Sequence, residues 1–506
     1  MLESGGATWE PTFVPSPSHL GLAATVLVHP TTTTRATTTE EKEAPSVALR
    51  LLRLINMHVG SVAARVNIAF SFDDFAGRRL GDDDDEASND KDMKLNGQHA
   101  DETTTPINVS MAHSHSLWSR AEDFWHAVGW AFNCSILYPE RWDRWRLWLE
   151  YMCEVMERDW NERVEQLEAV NEAAKEVDNV LIRESLIFTY LTSGSVAYGG
   201  KRRIFRAVFA DGDAASLSEF REVFKNELKK PAQEGAEKSS RKRAKEVNVD
   251  DDEYRGYLIN DLDEAESEKS AELREEKLPK RRSKRSKRTT KRFSDLGTDG
   301  DEMTSLDMAD QESRAHLLGG FSSLGLRQRI LRLLSNVASR LPNEFVTIED
   351  LYHLIVESVR HLPLPIFQAF VSPSMLPYLS VDAQTTLCEY LLVHMIEVAA
   401  PDMNEEDGMT QGKVQTCFLP FAASNTGVAD NAKVSIMLES LLFLLLEKGM
   451  LTLTPELRQA VEKGNAARAK KAQAESRKNR RVEDVEESWL SESAYRLTLM
   501  ANDFCL

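Results

Sequence analysis

The sequence predicts an all-α protein. Apolar residues recur at intervals of three and four in several segments, and these segments begin at capping residues and end near glycine or proline. No segment of useful length alternates polar and apolar residues, which a half-buried strand requires. These observations predict two helical domains built from hairpins and separated by a long disordered, charged linker. A repeat-like stack of hairpins is left open as an alternative.

Changes in composition mark the boundaries of the predicted domains. Segments rich in charge, or in proline, serine and threonine, bury too little apolar surface to fold, whereas the helical segments bury enough. The predicted parts are a disordered N-terminal tail (1–44), an N-terminal helical domain (45–229) with a disordered acidic insertion (81–105), a disordered, charge-segregated linker (230–315), a C-terminal helical domain (316–464), and a charged helix followed by a terminal helix (465–506).

The first predicted helix follows the tail. Ser46 is its expected N-cap, and Gly60 follows its end. Its predicted apolar face consists of Val47, Leu51, Leu54, Ile55 and Val59.

A tryptophan-rich segment predicts a helical hairpin. Seven of the nine tryptophans fall between Trp118 and Trp160, and Pro139 marks a turn between two helices. Flat rings also form nucleobase-stacking and methyl-lysine sites, but rings that alternate with aliphatic residues at helical spacing more often form a core. A partner-binding groove is the other alternative. The predicted structural core of the hairpin consists of Trp125, Trp130, Trp142, Trp145 and Trp148.

The first domain is predicted to close with a further helix. Ser216 and Glu219 have the spacing of a capping box, and apolar residues from Phe220 to Leu228 form the predicted buried face of the helix that follows.

Capping residues also place helices in the second domain. Thr347, with Asp350 three residues later, is an expected N-cap, and Thr454 precedes a proline at the first helical position. The helix that begins after Thr454 is expected to end at Gly464. The most apolar helix of this domain is interrupted by charged residues, which favours burial over a membrane span.

Charge and cysteine content restrict the functions that the chain can have. Nine basic residues lie between Lys280 and Arg292, and subtracting them from the net charge of −19 leaves −28 for the rest of the chain. This bulk charge argues against general attraction to nucleic acid or anionic lipid, and any nucleic-acid contact must be local. The five cysteines are widely spaced, which indicates reduced thiols, with Cys134, Cys153 and Cys388 expected to be buried.

Catalytic and ligand-binding motifs are missing from the sequence. YGGKRR lacks the spacing of a phosphate-binding loop, and the surroundings of Ser195 do not match a hydrolase nucleophile motif. His126 and Cys134 form an isolated pair, which is too few ligands for structural zinc, so His126 is expected to be a core or interface histidine. The chain is therefore expected not to be an enzyme and to need no cofactor or metal.

The basic block supports three interpretations. Consecutive basic side chains on a flexible segment are typical of a nuclear-import signal, which would make an import carrier a partner. The same charges could bind DNA or RNA weakly and without sequence specificity, or they could merely keep the linker soluble. The residues concerned are Lys280, Arg281, Arg282, Lys284, Arg285, Lys287, Arg288, Lys291 and Arg292, with candidate phosphorylation sites at Ser283, Ser286 and Ser294.

The sequence favours a nuclear, non-enzymatic helical scaffold or adaptor in a chromatin-associated or chromosome-maintenance complex. Its protein partners are expected to dock in grooves between helices, and no membrane association is expected. The alternative is a sequence-nonspecific nucleic-acid-binding protein that uses the basic linker. A cytoplasmic adaptor is a third class, favoured if the basic block does not direct import.

Overall fold

The computed structural model confirms the all-α fold. It describes residues 14–72, 107, 109–171, 179–192, 200–228, 318–373, 379–397, 400, 409–473 and 483–502. These residues form 18 α-helices and no strand, with one isolated bridge between Ile396 and Ala423. The predicted acidic insertion and the predicted linker lie outside the described residues.

Ten of the helices belong to the N-terminal region. They are α1 Pro17–Val28, α2 Thr39–His58, α3 Val66–Ala69, α4 Leu117–Arg120, α5 Phe124–Leu137, α6 Pro139–Asn171, α7 Val180–Arg183, α8 Leu186–Thr192, α9 Arg202–Val208 and α10 Ala214–Glu219.

The prediction of a disordered tail is wrong from residue 14 onward. Helix α1 buries Leu20, Ala24 and Leu27, which lie three to four residues apart on one face, and packs against α2 and α6. The threonines that follow suggested a flexible segment, but Thr32 is buried and its hydroxyl donates to the carbonyl of Val26 at 2.7 Å. A polar composition therefore did not prevent burial, because the polar groups bond to nearby backbone.

Helix α2 begins earlier than the sequence predicts. Thr38 is its N-cap, and the backbone N–H of Glu41 donates to the Thr38 hydroxyl at 3.2 Å in a full capping box. The predicted cap, Ser46, lies inside the helix.

The tryptophan-rich segment forms the predicted hairpin from α5 and α6, and all five predicted core tryptophans are buried. The indole N–H of Trp125 donates to the carbonyl of Tyr190 at 2.9 Å. Phe124 stacks on the Tyr190 ring with 4.3 Å between ring centroids. Gly129 lets the ring of Phe220 approach α5, since a Cβ on Gly129 would lie 2.3 Å from that ring. The rings therefore form a core and are not exposed for stacking on a ligand.

The predicted helix after Ser216 is replaced by an irregular buried segment. Helix α10 ends at Glu219, and its N-cap is Asp213, which accepts from the Ser216 N–H at 2.6 Å. Phe220 is buried, but outside a helix. The Glu227 carboxylate holds this conformation by accepting from the backbone N–H of Phe224 at 3.2 Å.

Eight helices belong to the C-terminal region. They are α11 Phe321–Arg340, α12 Ile348–Val359, α13 Leu364–Val371, α14 Val381–Met395, α15 Gln411–Lys413, α16 Val428–Glu447, α17 Pro455–Gln473 and α18 Glu483–Asn502. The π-helical turn Val414–Phe418 follows α15 directly.

Both predicted caps in this region are confirmed, but one predicted helix end is wrong. Thr347 accepts from the Asp350 N–H at 3.1 Å, and Thr454 accepts from the Leu457 N–H at 3.2 Å. Helix α17 continues through Gly464 to Gln473. A Cβ on Gly464 would lie 1.7 Å from the Leu419 carbonyl oxygen, so this glycine permits close packing and does not terminate the helix.

The most apolar predicted helix is α16, which is buried against α13, α14, α17 and α18. No helix in the described part of the chain is both long and apolar enough to span a membrane.

The N- and C-terminal regions belong to one compact unit. Helix α11 packs against α6, and α12 packs against α9. At this junction the guanidinium of Arg327 is fully buried, donates to the carbonyls of Val208 and Ala210 at 2.5 and 2.9 Å, and lies 4.0 Å from the centroid of the Phe132 ring. The Arg329 guanidinium pairs with the Glu157 carboxylate at 2.6 Å across the same junction.

The cysteines expected to be buried are buried and unpaired. Burial raises the pKa of the Cys153 and Cys388 thiols to about 12, and it also raises that of Cys134. At neutral pH these side chains are therefore protonated and poor nucleophiles.

A buried ion pair joins three segments of the N-terminal region. The Arg141 guanidinium on α6 pairs with the Glu227 carboxylate, and both side chains are almost fully inaccessible. Arg141 also donates to the carbonyl of Val28, at the end of α1, at 2.7 Å. The indole N–H of Trp145 donates to the same carboxylate at 2.7 Å. The pair is thus fully hydrogen-bonded, as a buried pair must be to avoid a large desolvation cost.

The Arg141→Ala substitution should lower the free energy of unfolding by about 3–5 kcal/mol, because it leaves the Glu227 charge buried without a cation. The Arg146→Ala substitution on the same helix removes a half-exposed arginine that lies 3.8 Å from Glu150 and should cost less than about 1 kcal/mol. Urea unfolding of both variants measures the difference. Equal costs would show that the Arg141–Glu227 pair does not stabilise the fold.

His126 lies in the core, as expected. Its Nδ1 accepts from the Glu122 backbone N–H at 3.1 Å, and its Nε2 lies 3.0 Å from the Arg221 carbonyl oxygen. A neutral ring with its proton on Nε2 satisfies both contacts. Burial lowers the pKa of His126, against the opposing effect of the Glu122 carboxylate.

This lowered pKa predicts a specific dependence of stability on pH. As the pH falls through the ordinary histidine value of about 6.5, the unfolded chain binds a proton at residue 126 before the folded chain does, so stability is lost. Between about pH 7 and pH 5, urea unfolding should show a smaller loss for His126→Gln than for the unsubstituted protein, by at most about 1.4 kcal/mol per pH unit. Identical losses would contradict a neutral His126.

Candidate protein-docking groove

The structure leaves most of the predicted site residues untested. The nine basic residues from Lys280 to Arg292 and the three candidate phosphorylation sites lie outside the described residues. The five core tryptophans and His126 are buried. Across the described ranges there is no group of three or more His, Cys, Asp or Glu side chains placed to hold a metal ion.

A groove between α2 and α6 is a candidate site that the sequence did not predict. Its cavity has a volume of about 400 Å³. The floor is aliphatic, and three arginines line the cavity with it. The aliphatic residues that form it are Leu27, Leu49, Leu54, Met57 and Leu147, and the arginines are Arg50, Arg53 and Arg144.

Helix α2 exposes apolar side chains outside its core-facing side, and one of them, Met57, lines the groove. Its core-facing side buries Ala48, Leu52 and Ile55, which recur at helical spacing. The opposite side exposes Met57, which is 57% accessible, and Val47, which is 66% accessible. An amphipathic surface helix normally has charged and polar residues on that side.

The predicted apolar face of this helix is therefore partly wrong. Val47 and Leu51 were expected to be buried, but both are exposed, whereas Ile55 is buried as expected. The apolar residues of this segment cover more of the helix circumference than one buried face occupies. The prediction assigned them all to a single buried face.

The electrostatics of the groove differ from those of the chain as a whole. Among its described lining residues three are arginines and none is acidic, although the chain carries a net charge of −19. The Arg53 guanidinium forms a bidentate pair with Glu154, with nitrogen–oxygen distances of 3.1 and 2.7 Å. This pair fixes Arg53 at the groove. Arg50 and Arg144 add positive charge to the same surface.

These features suit the binding of a peptide better than chemistry on a substrate. An aliphatic floor accepts the apolar side chains of a helix, and flanking arginines form charge-assisted hydrogen bonds with carboxylates. Among the described groove residues the only hydroxyl is that of Ser46, and no histidine or carboxylate lines the groove to activate it. The arrangement therefore offers binding energy and orientation.

Similarity to other proteins adds no information about this site. Neither a family model, nor a curated protein, nor a solved structure matches the chain. The function therefore has to be inferred from the groove and from the charge pattern of the sequence.

Proposed function

We propose that this protein is a nuclear, non-enzymatic helical scaffold that docks an acidic amphipathic helix of a partner protein in the groove between α2 and α6. The observation that carries the proposal is the combination of an aliphatic floor, the exposed side chain of Met57 on α2, and flanking arginines. Helix-in-groove binding uses this combination, since apolar side chains supply affinity and charges supply orientation.

The charge of the groove selects the class of partner helix. A basic helix would be repelled by Arg50 and Arg144, whereas Glu or Asp beside the apolar stripe would pair with them. Arg53 is already paired with Glu154. The buried hairpin beneath supports rigid recognition, because α6 contributes Leu147 to the groove and Trp145 and Trp148 to the core. The partner would thus bind a preformed surface, which lowers the entropic cost of association.

The nuclear part of the proposal rests on the basic block between Lys280 and Arg292. Its density of charge in an otherwise acidic chain matches what an import carrier recognises. Phosphorylation of Ser283, Ser286 or Ser294 would add negative charge inside or beside the block and weaken that recognition. A nuclear-import signal, together with a docking groove, favours membership of a chromatin-associated or chromosome-maintenance complex.

Two synthetic peptides test the groove. Both have the same apolar stripe and a length of roughly 20 residues, since shorter isolated helices are marginal, but one carries Glu and the other Lys beside the stripe. Fluorescence anisotropy should show that the Glu peptide binds the full chain more tightly. The Arg50→Glu/Arg144→Glu variant should bind the Glu peptide at least about tenfold more weakly, because two attractions become repulsions.

A matched variant controls for the change in overall charge. Lys201→Glu/Arg332→Glu reverses two exposed charges outside the groove and should leave binding of the Glu peptide unchanged. The Met57→Ser variant should weaken the binding of both peptides while keeping thermal stability, because Met57 is exposed. Equal binding of the two peptides, or equal weakening by both charge-reversal variants, would refute specific docking in the groove.

A second experiment tests whether the basic block directs nuclear import. Replacing the nine basic residues of the block with alanine should abolish nuclear accumulation, which is measured by fluorescence imaging of the tagged chain. An unrelated import signal added to this variant should restore both location and co-purifying partners. Nuclear accumulation of the alanine variant without that added signal would contradict the proposal. Replacing Ser283, Ser286 and Ser294 with Asp should reduce nuclear accumulation. Unchanged nuclear accumulation would exclude regulation of import by phosphorylation.

Direct nucleic-acid binding is the second candidate function, and only the basic block favours it. Contact of all nine charges with phosphates would give a slope of about −8 in a plot of log affinity against log salt concentration. Retention on DNA or RNA with such a slope, lost in the alanine variant while its nuclear location persists, would make this function the better explanation.

A further inference from the structure

Ser46 places a hydroxyl group in the wall of the groove between α2 and α6. It lies inside α2, its side chain is exposed, and it lines the cavity together with Arg144 of α6. No acidic residue is among the described residues of that wall. A group that adds negative charge at Ser46 would therefore enter a surface of positive potential.

The register of α2 against α6 brings Ser46 and Arg144 close together. Two contacts between the helices each join residues 101 positions apart, namely Arg53–Glu154 and Met57–Arg158. The helices therefore run in the same direction, and each residue of α2 is level with the residue of α6 that follows it by 101 positions. Ser46 is then level with Leu147, which also lines the groove. Arg144 lies one turn before Leu147, at an axial offset of roughly 4.5 Å.

The Arg144 guanidinium is placed to bind an anion. Its side chain is half-buried, and within the part of the chain that the structure describes it forms no ion pair. Arg53, in contrast, is paired with Glu154. A guanidinium suits a phosphate because its planar fork donates parallel hydrogen bonds to two phosphate oxygens. Arg144 is therefore the arginine of the groove that a phosphate on Ser46 would bind.

Pro45 weakens the helix at the position of Ser46. It immediately precedes Ser46 inside α2. Proline has no backbone N–H, so the hydrogen bond that residue 45 would donate to the Glu41 carbonyl is missing. A missing bond in the helical ladder lowers the free energy of local opening. Together with its exposure, this makes the Ser46 hydroxyl accessible to a modifying enzyme.

We infer that phosphorylation of Ser46 closes the groove to its acidic partner helix. A protein kinase would supply the phosphoryl group from a nucleoside triphosphate. The Ser46 oxygen forms a bond to the γ-phosphorus, the bond from that phosphorus to the departing nucleoside diphosphate breaks, and the hydroxyl proton passes to a base of the kinase. The phosphate carries a charge of about −1.5 to −2 at neutral pH, so it binds Arg144 and repels the carboxylates of the partner. This inference rests on the proposed docking in the groove.

Phosphorus NMR of the full chain, with phosphoserine incorporated only at residue 46, tests the contact with Arg144. The cation should hold the second pKa of the phosphate below its ordinary value of about 6. Arg144→Gln should raise that pKa, because it removes the cation. Arg146→Gln removes a charge of the same helix that does not line the groove, so it should leave the pKa unchanged. Equal phosphate pKa values in all three chains would overturn the contact.

Fluorescence anisotropy with the Glu peptide tests the regulation of docking. Phosphoserine at residue 46 should weaken binding at least about tenfold, because a like charge then faces the carboxylates of the peptide. Phosphoserine at residue 491 adds the same charge to an exposed position of α18 outside the groove and should leave the affinity unchanged. Ser46→Ala should bind the peptide as the unmodified chain does, because docking does not require the hydroxyl.

The outcomes separate this inference from the docking proposal. Equal binding of the Glu peptide to the unmodified chain and to the chain phosphorylated at Ser46 would overturn the inference and leave docking intact. Absence of binding to the unmodified chain would overturn docking and its regulation together. Equal weakening by phosphoserine at residues 46 and 491 would reveal a general effect of charge and overturn the inference. Loss of helix in the circular dichroism of the chain phosphorylated at Ser46 would also overturn it, since unfolding would then explain the weaker binding.

Discussion

Buried backbone carbonyls at the ends of helices set the constraint on which this fold depends. Each must receive a hydrogen bond, and buried guanidinium groups supply several of them. Arg141 reaches the end of α1, Arg327 reaches the carbonyls of Val208 and Ala210, and Arg468 donates to Leu419 and Phe421 at 3.1 and 3.0 Å. A guanidinium suits this task because its donors point in several fixed directions at once. Each of these arginines therefore joins segments that helix packing alone would leave with unsatisfied polar groups.

On the proposed function, the placement of aromatic and aliphatic residues separates stability from recognition. The tryptophan rings lie inside the α5–α6 hairpin, where ring contacts and the bond from Trp125 to the Tyr190 carbonyl fix their positions. Smaller aliphatic side chains on the outer side of α2 remain accessible. The chain thus keeps its largest apolar surfaces in the core and presents a modest apolar surface beside arginines. A surface of this kind limits nonspecific association, because the flanking charges favour only partners of opposite charge.

Local signals were predictable from the sequence, and contacts between distant residues were not. The caps at Thr347 and Thr454 depend on three or four consecutive residues, and the all-α class depends on periodicity within single segments. Gly464 resembles a helix end, and only the approach of the Leu419 carbonyl shows its role. The burial of α1 depends on α2 and α6, which composition does not reveal. The groove was missed because it forms between two helices.

The contact between Arg327 and Val208 has a consequence for the order of events during synthesis. The two residues are 119 positions apart. At a translation rate of 5–20 residues per second, the Val208 carbonyl waits about 6–24 s for its donor to be synthesised. During that interval the surface that receives α11 lacks the Arg327 guanidinium that lies over the Phe132 ring, so this junction closes only after residue 327 has been made.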